Sequence, residues 1–207
     1  MKKVLVFGMT DNPGGMESVI MNYYRHIDRS VLQFEFLCNT EKVAYEDEIR
    51  KLGGVIHNIC ARSKNLKQYK HDMTEFFKNN AEKYCALWFN TCSLSNIDYL
   101  VYATKYHIPK RIIHCHNAAN GGDSFLRNLL HKYHQRKVFK YATDFWTCNQ
   151  DSDLWFFGKS SKELPNYRVI YNAIDLDYFA PNDEIRKEYR SKLNISNEIL
   201  LGHDGRF

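Results

Sequence analysis

The loop Met9-Thr10-Asp11-Asn12-Pro13-Gly14-Gly15-Met16-Glu17-Ser18 joins a short apolar run to a stretch of helical period. Gly14 and Gly15 let backbone come close to a ligand, and the free N–H groups of a helix N-terminus favour a phosphate or another anion. Glu17 adds a favourable charge to the first turn. The pattern is neither G-x-G-x-x-G nor G-x-x-x-x-G-K-[ST], so it is not a dinucleotide fingerprint or a P-loop; the same residues also read as a tight turn with a helix cap. A second cluster, His114-Cys115-His116-Asn117, follows Ile112-Ile113. Strand alternation puts His114 and His116 on one face and Cys115 on the other. Two histidines on one face could ligate a metal, but no second Cys/His cluster has the spacing to supply a third ligand. His116, at the carboxyl end of its strand and beside the loop Asn120-Gly121-Gly122-Asp123, can hydrogen-bond a polar substrate or a phosphate, or be structural.

The elements that must position these residues alternate short apolar runs with longer helical stretches. That rhythm predicts an α/β fold, a Rossmann-like parallel sheet with flanking helices. Strands are expected at Val4–Phe7, Phe34–Leu37, Val55–His57, Ala86–Phe89, Arg111–His114 and Phe145–Thr147. Helices are expected at Val19–Ile27, Tyr45–Leu52, Leu66–Asn79, Leu94–Tyr106 and Phe125–Tyr141. After Val169-Ile170 the texture becomes turn-rich. The domain reading is therefore residues 1–170 as a first α/β domain, 171–198 as a hinge with a charged helix over Asp183–Leu193, and 199–207 as the first strand of a second, truncated α/β domain.

Composition narrows the class. The chain has 207 residues, 44% hydrophobic and 26% charged, enough apolar content for a buried core. No apolar run is long enough to span a membrane, and the opening Met1–Gly8 is too short for a secretory signal. Cys38, Cys60, Cys85, Cys92, Cys115 and Cys148 include no C-x-x-C pair, which fits a reducing, cytoplasmic setting. The formal net charge of +5 falls short of a nucleic-acid domain, so no nucleic-acid partner is expected. Two segments are basic, Arg62–Lys70 and Arg127–Lys140.

Three pieces in order, Gly14-Gly15-Met16-Glu17, Ile112-Ile113-His114-Cys115-His116-Asn117 and Val169-Ile170-Tyr171-Asn172-Ala173-Ile174-Asp175 ahead of Gly205-Arg206-Phe207, resemble the GT4-type retaining glycosyltransferases of GT-B fold, the group that includes capsular and exopolysaccharide enzymes. The resemblance spans essentially the whole chain. It implies an N-terminal, acceptor-side domain whose partner domain binds a UDP- or GDP-linked sugar. It implies that Gly14 and Gly15 approach the donor and that Glu17 and Asn117 shape the site. His116 would be the active-site histidine beside the donor sugar, and Arg206 would face the diphosphate. Asn172 and Asp175 would lie in the hinge. The acceptor would be a saccharide or a lipid-linked saccharide, and no metal is expected, because cations and helix termini stabilise the leaving group. The second domain's donor-holding lysine and glutamates are absent from the 207 residues, so this piece is expected to be inactive alone. Ala173 stands where the family usually has glycine, and Asp204 where an apolar strand residue is usual.

The stretch Phe125–Tyr141 joins apolar Phe125, Leu126, Leu129, Leu130 and Tyr133 to cationic Arg127, Lys132, Arg136, Lys137 and Lys140. It suits peripheral contact with anionic lipid on the inner face of the membrane, and equally a core-packed helix with a wet basic face. A non-catalytic saccharide- or membrane-surface-binding module is the alternative to the enzyme reading.

Overall fold

Strand parity decides where the two layers of helices sit. The computed structural model describes residues 1–116, 124–150 and 152–202. Seven strands, β1 (Lys2–Phe7), β2 (Leu32–Cys38), β3 (Val55–Asn58), β4 (Tyr84–Thr91), β5 (Lys110–Cys115), β6 (Asp144–Thr147) and β7 (Tyr167–Val169), form one parallel sheet in the order β3-β2-β1-β4-β5-β6-β7. Parallel neighbours need crossover connections, and helices supply them. Val4, Val6, Phe34, Phe36, Ala86, Trp88 and Ile112 point to one face, where α1 (Gly15–His26) and α2 (Glu46–Lys51) pack through Ile20, Met21, Tyr24 and Ile49. Leu5, Leu37, Leu87, Phe89, Ile113 and Phe145 point to the other, under α3 (Leu66–Asn80), α4 (Asp98–Lys105) and α6 (Ser152–Phe157). With both faces covered, the central strands read as continuous apolar runs rather than alternating ones.

The helix after β1 leads outward to β2, whereas β4, on the other side of β1, leads toward β5. The order of connection therefore reverses between β1 and β4, and their carboxyl ends flank the crevice in which open α/β sheets bind ligands. Several expectations change, among them the helix expected over Phe125–Tyr141, which ends at Gln135. β7 and α6 are additional, each too short for periodicity to reveal. The strand expected at Ile199–Leu201 is not formed: residues 199–202 lie in no strand, and no neighbouring strand among the described residues offers a ladder to complete it. The helix expected over Leu94–Tyr106 begins only at Asp98, because Thr91, Ser93 and Asn96 side chains bond nearby backbone and hold the segment before it as turns.

Contacts divide the chain into Met1–Ala173 and Ile174–Phe207. In the second unit Asn182 caps α7 (Asp183–Lys192) by accepting the N–H groups of Glu184 and Ile185 at 3.0 Å each.

Candidate functional site

Three consecutive strands of the sheet, β1, β4 and β5, are tied together at their carboxyl ends by one side chain. Asn90, fully buried near the end of β4, donates through Nδ2 to the carbonyl of Phe7 at 3.1 Å and to that of Trp88 at 3.3 Å. Those two acceptors fix which amide atom faces β5, so Oδ1 accepts from Nε2–H of His116 at 2.9 Å. The backbone N–H of His116 donates to Thr91 O at 3.2 Å, extending the β4–β5 ladder one residue past the strand. Burial lowers the His116 pKa to about 4, since an imidazolium would lose solvation there. At neutral pH the ring is therefore neutral and carries its proton on Nε2, which leaves Nδ1 as the acceptor of a hydrogen bond from a hydroxyl.

His114 lies on the same face, its ring centroid 4.2 Å from that of His116, as strand alternation requires. It is fully buried beside Trp88 and Trp146, with both centroids 5.9 Å away, and neither ring nitrogen finds a partner among the described residues. Burial, and then the neighbouring His116, push its pKa down to about 2. No group of three His, Cys, Asp or Glu side chains able to hold a metal occurs among the described residues.

The loop after β1 approaches the same edge. Gly8 has φ +133°, and a Cβ there would sit 2.7 Å from Asn90 Cβ, so glycine is required both by conformation and by the close passage of β4. Thr10 Oγ1 donates to Glu17 Oε1 at 2.6 Å, and Thr10 O accepts from Ala44 N at 2.7 Å. Glu17 is buried, so its carboxylate pins the loop to α1 instead of standing open as an acid. Gly14 lies against it: a Cβ on Gly14 would be 2.9 Å from Glu17 Oε2, whereas one on Gly15 would meet nothing within 4 Å. No side chain caps α1, and its first-turn N–H groups present the positive end of the helix dipole.

Of the residues expected from the sequence, His116, Gly14, Gly15 and Glu17 belong to this first unit. Asn117 and Arg206, with the glycine loop 120–122 and Asp204, lie outside the described residues. Asn172 is exposed, and Asp175 Oδ1 accepts the N–H groups of Asp177 and Tyr178 at 3.0 and 3.1 Å, forming a turn at the start of the second unit. Sequence reasoning missed Asn90 and Gly8. The available signal for the first was a lone amide closing the apolar run Ala86-Leu87-Trp88-Phe89, on a strand expected to lie in the sheet.

No family model matches the chain. Over 210 residues it is 29% identical to EpsF of Bacillus subtilis (strain 168), a protein named as a glycosyltransferase; the match takes in 100% of this chain and 54% of EpsF. The chain thus spans about half the length of the curated relative it matches. Among solved structures, a glycosyltransferase from Rickettsia africae superimposes with a TM-score of 0.64 at 13% identity, covering 96% of this chain and 51% of that one. MurG of Acinetobacter baumannii gives 0.55 at 13% identity, covering 87% and 48%. The seven-stranded sheet is the Rossmann-like N-terminal half of a GT-B fold. The similarity in sequence is to a protein named as a glycosyltransferase, and the similarity in structure is one of fold.

Proposed function

We propose that the chain is the acceptor-side half of a retaining, GT4-type glycosyltransferase of polysaccharide biosynthesis, moving a sugar from a UDP- or GDP-linked donor to a saccharide or lipid-linked saccharide. The observation that carries this reading is the convergence of the Gly8–Glu17 loop, Asn90 and His116 at the crevice between β1 and β4, where such folds take their ligands. The uncapped N-terminus of α1 faces the donor phosphates, and the open space beside Gly15 admits them. His116 Nδ1 accepts a hydroxyl of the donor sugar. Arg206, by resemblance, places a cation on the diphosphate as its charge grows.

In the reaction the bond from the anomeric carbon to the phosphate oxygen breaks, and the bond to the acceptor oxygen forms on the same face. The acceptor's proton passes to the departing phosphate oxygen, so no side chain of this half need act as base and no metal cofactor is called for. The 207 residues alone turn over no donor in this reading, because the donor-holding groups lie in the other half.

The test uses the protein expressed from its uninterrupted reading frame, incubated with a panel of UDP- and GDP-sugars and oligosaccharide acceptors. Release of UDP or GDP, with a product whose anomeric configuration matches the donor's by NMR, supports the proposal, and an inverted product contradicts retention. Failure to bind or cleave any donor replaces it with a non-catalytic saccharide- or membrane-surface-binding module.

A further inference from the structure

Helix α5 (Phe125–Gln135) is amphipathic with its apolar side outward. Phe125, Leu126, Leu129 and Tyr133 are 85, 63, 55 and 54% exposed, while the side against the core is polar. There His131 Nδ1 accepts from Leu94 N at 3.1 Å, His134 Nδ1–H donates to Leu94 O at 2.6 Å, and Gln135 Nε2 donates to Trp155 O at 2.7 Å. The helix is thus held by side-chain to backbone hydrogen bonds, with Phe125, Leu126, Leu129 and Tyr133 outward and Leu130 half-buried. A core-packed helix with a wet basic face would show the reverse.

The charge within residues 124–140 is of one sign. Residues 124–140 hold five Lys or Arg and no Asp or Glu, equal to the whole chain's formal excess of +5. Lys132 and Arg136, one turn apart, line a cleft of about 520 Å³ with Lys159, Gly158 and Phe139, and Lys159 Nζ lies 4.6 Å from the Phe139 ring centroid. No acidic side chain pairs with Lys132, Arg136, Lys137 or Lys159 among the described residues.

We propose that α5 docks the protein on an anionic lipid bilayer, with Phe125, Leu126, Leu129 and Tyr133 set into the interface and lipid phosphates drawn into the cleft of Lys132, Arg136 and Lys159. Apolar side chains flanked by cations, with no acid among them, match the depth profile of such a surface: acyl carbon beneath a layer of phosphates. Long basic stems reach the phosphates while their methylenes stay against the apolar face. No helix among the described residues is long and apolar enough to cross a membrane, so this contact lies on the surface. The inference goes beyond the glycosyltransferase reading and stands without it.

The test is co-sedimentation of the 207-residue chain with vesicles of phosphatidylcholine alone and of phosphatidylcholine mixed with phosphatidylglycerol, at low and high salt. Binding is expected only to the mixed vesicles and is expected to weaken with salt. Neutralising Lys132, Arg136 or Lys159 with Gln should weaken it by about fivefold each. Leu126→Ser with Leu129→Ser should abolish it, with thermal melting little changed because both residues are more than half exposed. Phe125→Trp should show blue-shifted emission on mixed vesicles. Equal binding to both vesicle types, indifference to the cation variants, or an unshifted emission from the Phe125→Trp variant would overturn the proposal. So would a dimer in sedimentation velocity that the double serine variant dissolves, since a second copy would then cover the face.

Discussion

His116 Nε2 lies 2.9 Å from Asn90 Oδ1, and because Asn90 Nδ2 is committed to the Phe7 and Trp88 carbonyls, the imidazole is locked with its proton on Nε2. Nitrogen-15 NMR of the ring should show the Nε2–H tautomer across neutral pH. Asn90→Ala should let the ring sample both tautomers and lower turnover by about tenfold or more. Asn90→Asp should raise the His116 pKa above its present value of about 4, since an adjacent anion favours the imidazolium. An unchanged tautomer in both variants would remove Asn90 from the account.

Two glycines of one loop should fail in different ways. Gly8→Ala forces an L residue to φ +133° with its Cβ 2.7 Å from Asn90 Cβ, and should cost about 2 kcal/mol or more of stability. Gly15→Ala meets nothing within 4 Å, so the melting temperature should hold while nucleotide-sugar affinity falls. A Gly15 variant that loses stability and not affinity would make that residue a folding requirement.

His114 and His116 should govern the upper part of the acid limb. Their pKa values are about 2 and about 4, against 6.5 for a free histidine. As pH falls below 6.5 the unfolded chain takes up protons that the folded chain refuses, so stability is complete above 6.5 and is lost down to about pH 4 through His116 and on to about pH 2 through His114. His114→Phe removes a ring whose nitrogens have no partner among the described residues, so it should leave stability at pH 7 equal or higher and flatten this limb. Thermal melts between pH 7 and 4 measure it, and an unflattened limb would contradict the burial argument.

Glu35 sets the lower part. Its buried carboxylate is opposed by burial, yet hydrogen bonds from Lys3 at 2.6 Å, His57 at 2.8 Å and Tyr84 at 2.7 Å outweigh that and bring its pKa from 4.5 to about 2. Its contribution is therefore present above pH 4.5 and lost between 4.5 and 2. Tyr84→Phe should cost about 1.5–3 kcal/mol at pH 7. The cost of Glu35→Gln should shrink as pH falls through that window, and a cost independent of pH would show that the charge contributes nothing.

Most of the sheet was legible because buried parallel strands write themselves as apolar runs: Val4–Phe7 and Ala86–Phe89 sit inside β1 and β4. The placement of His116 and the Gly14-Gly15 loop was legible through chain order, since both follow strands at the carboxyl edge of the sheet, where open α/β folds take ligands. Asn90 and Gly8 were not, because their meaning lies in the approach of two strands that are neighbours in space and some 80 residues apart in sequence. The orientation of α5 was equally hidden. Periodicity shows that Phe125, Leu129 and Tyr133 share a side, but only the hydrogen bonds of His131 and His134 to Leu94 show that it is the side away from the core.

The most direct measurement compares acceptor-dependent nucleotide release by the protein expressed from its uninterrupted reading frame with that of His116→Ala. The account predicts release of UDP or GDP from at least one donor, a fall in kcat of about 100-fold or more in the variant, and a melting curve that keeps its cooperative form. A variant that turns over as fast as the unmodified protein would contradict the role given to His116, and no release from any donor would contradict glycosyl transfer itself.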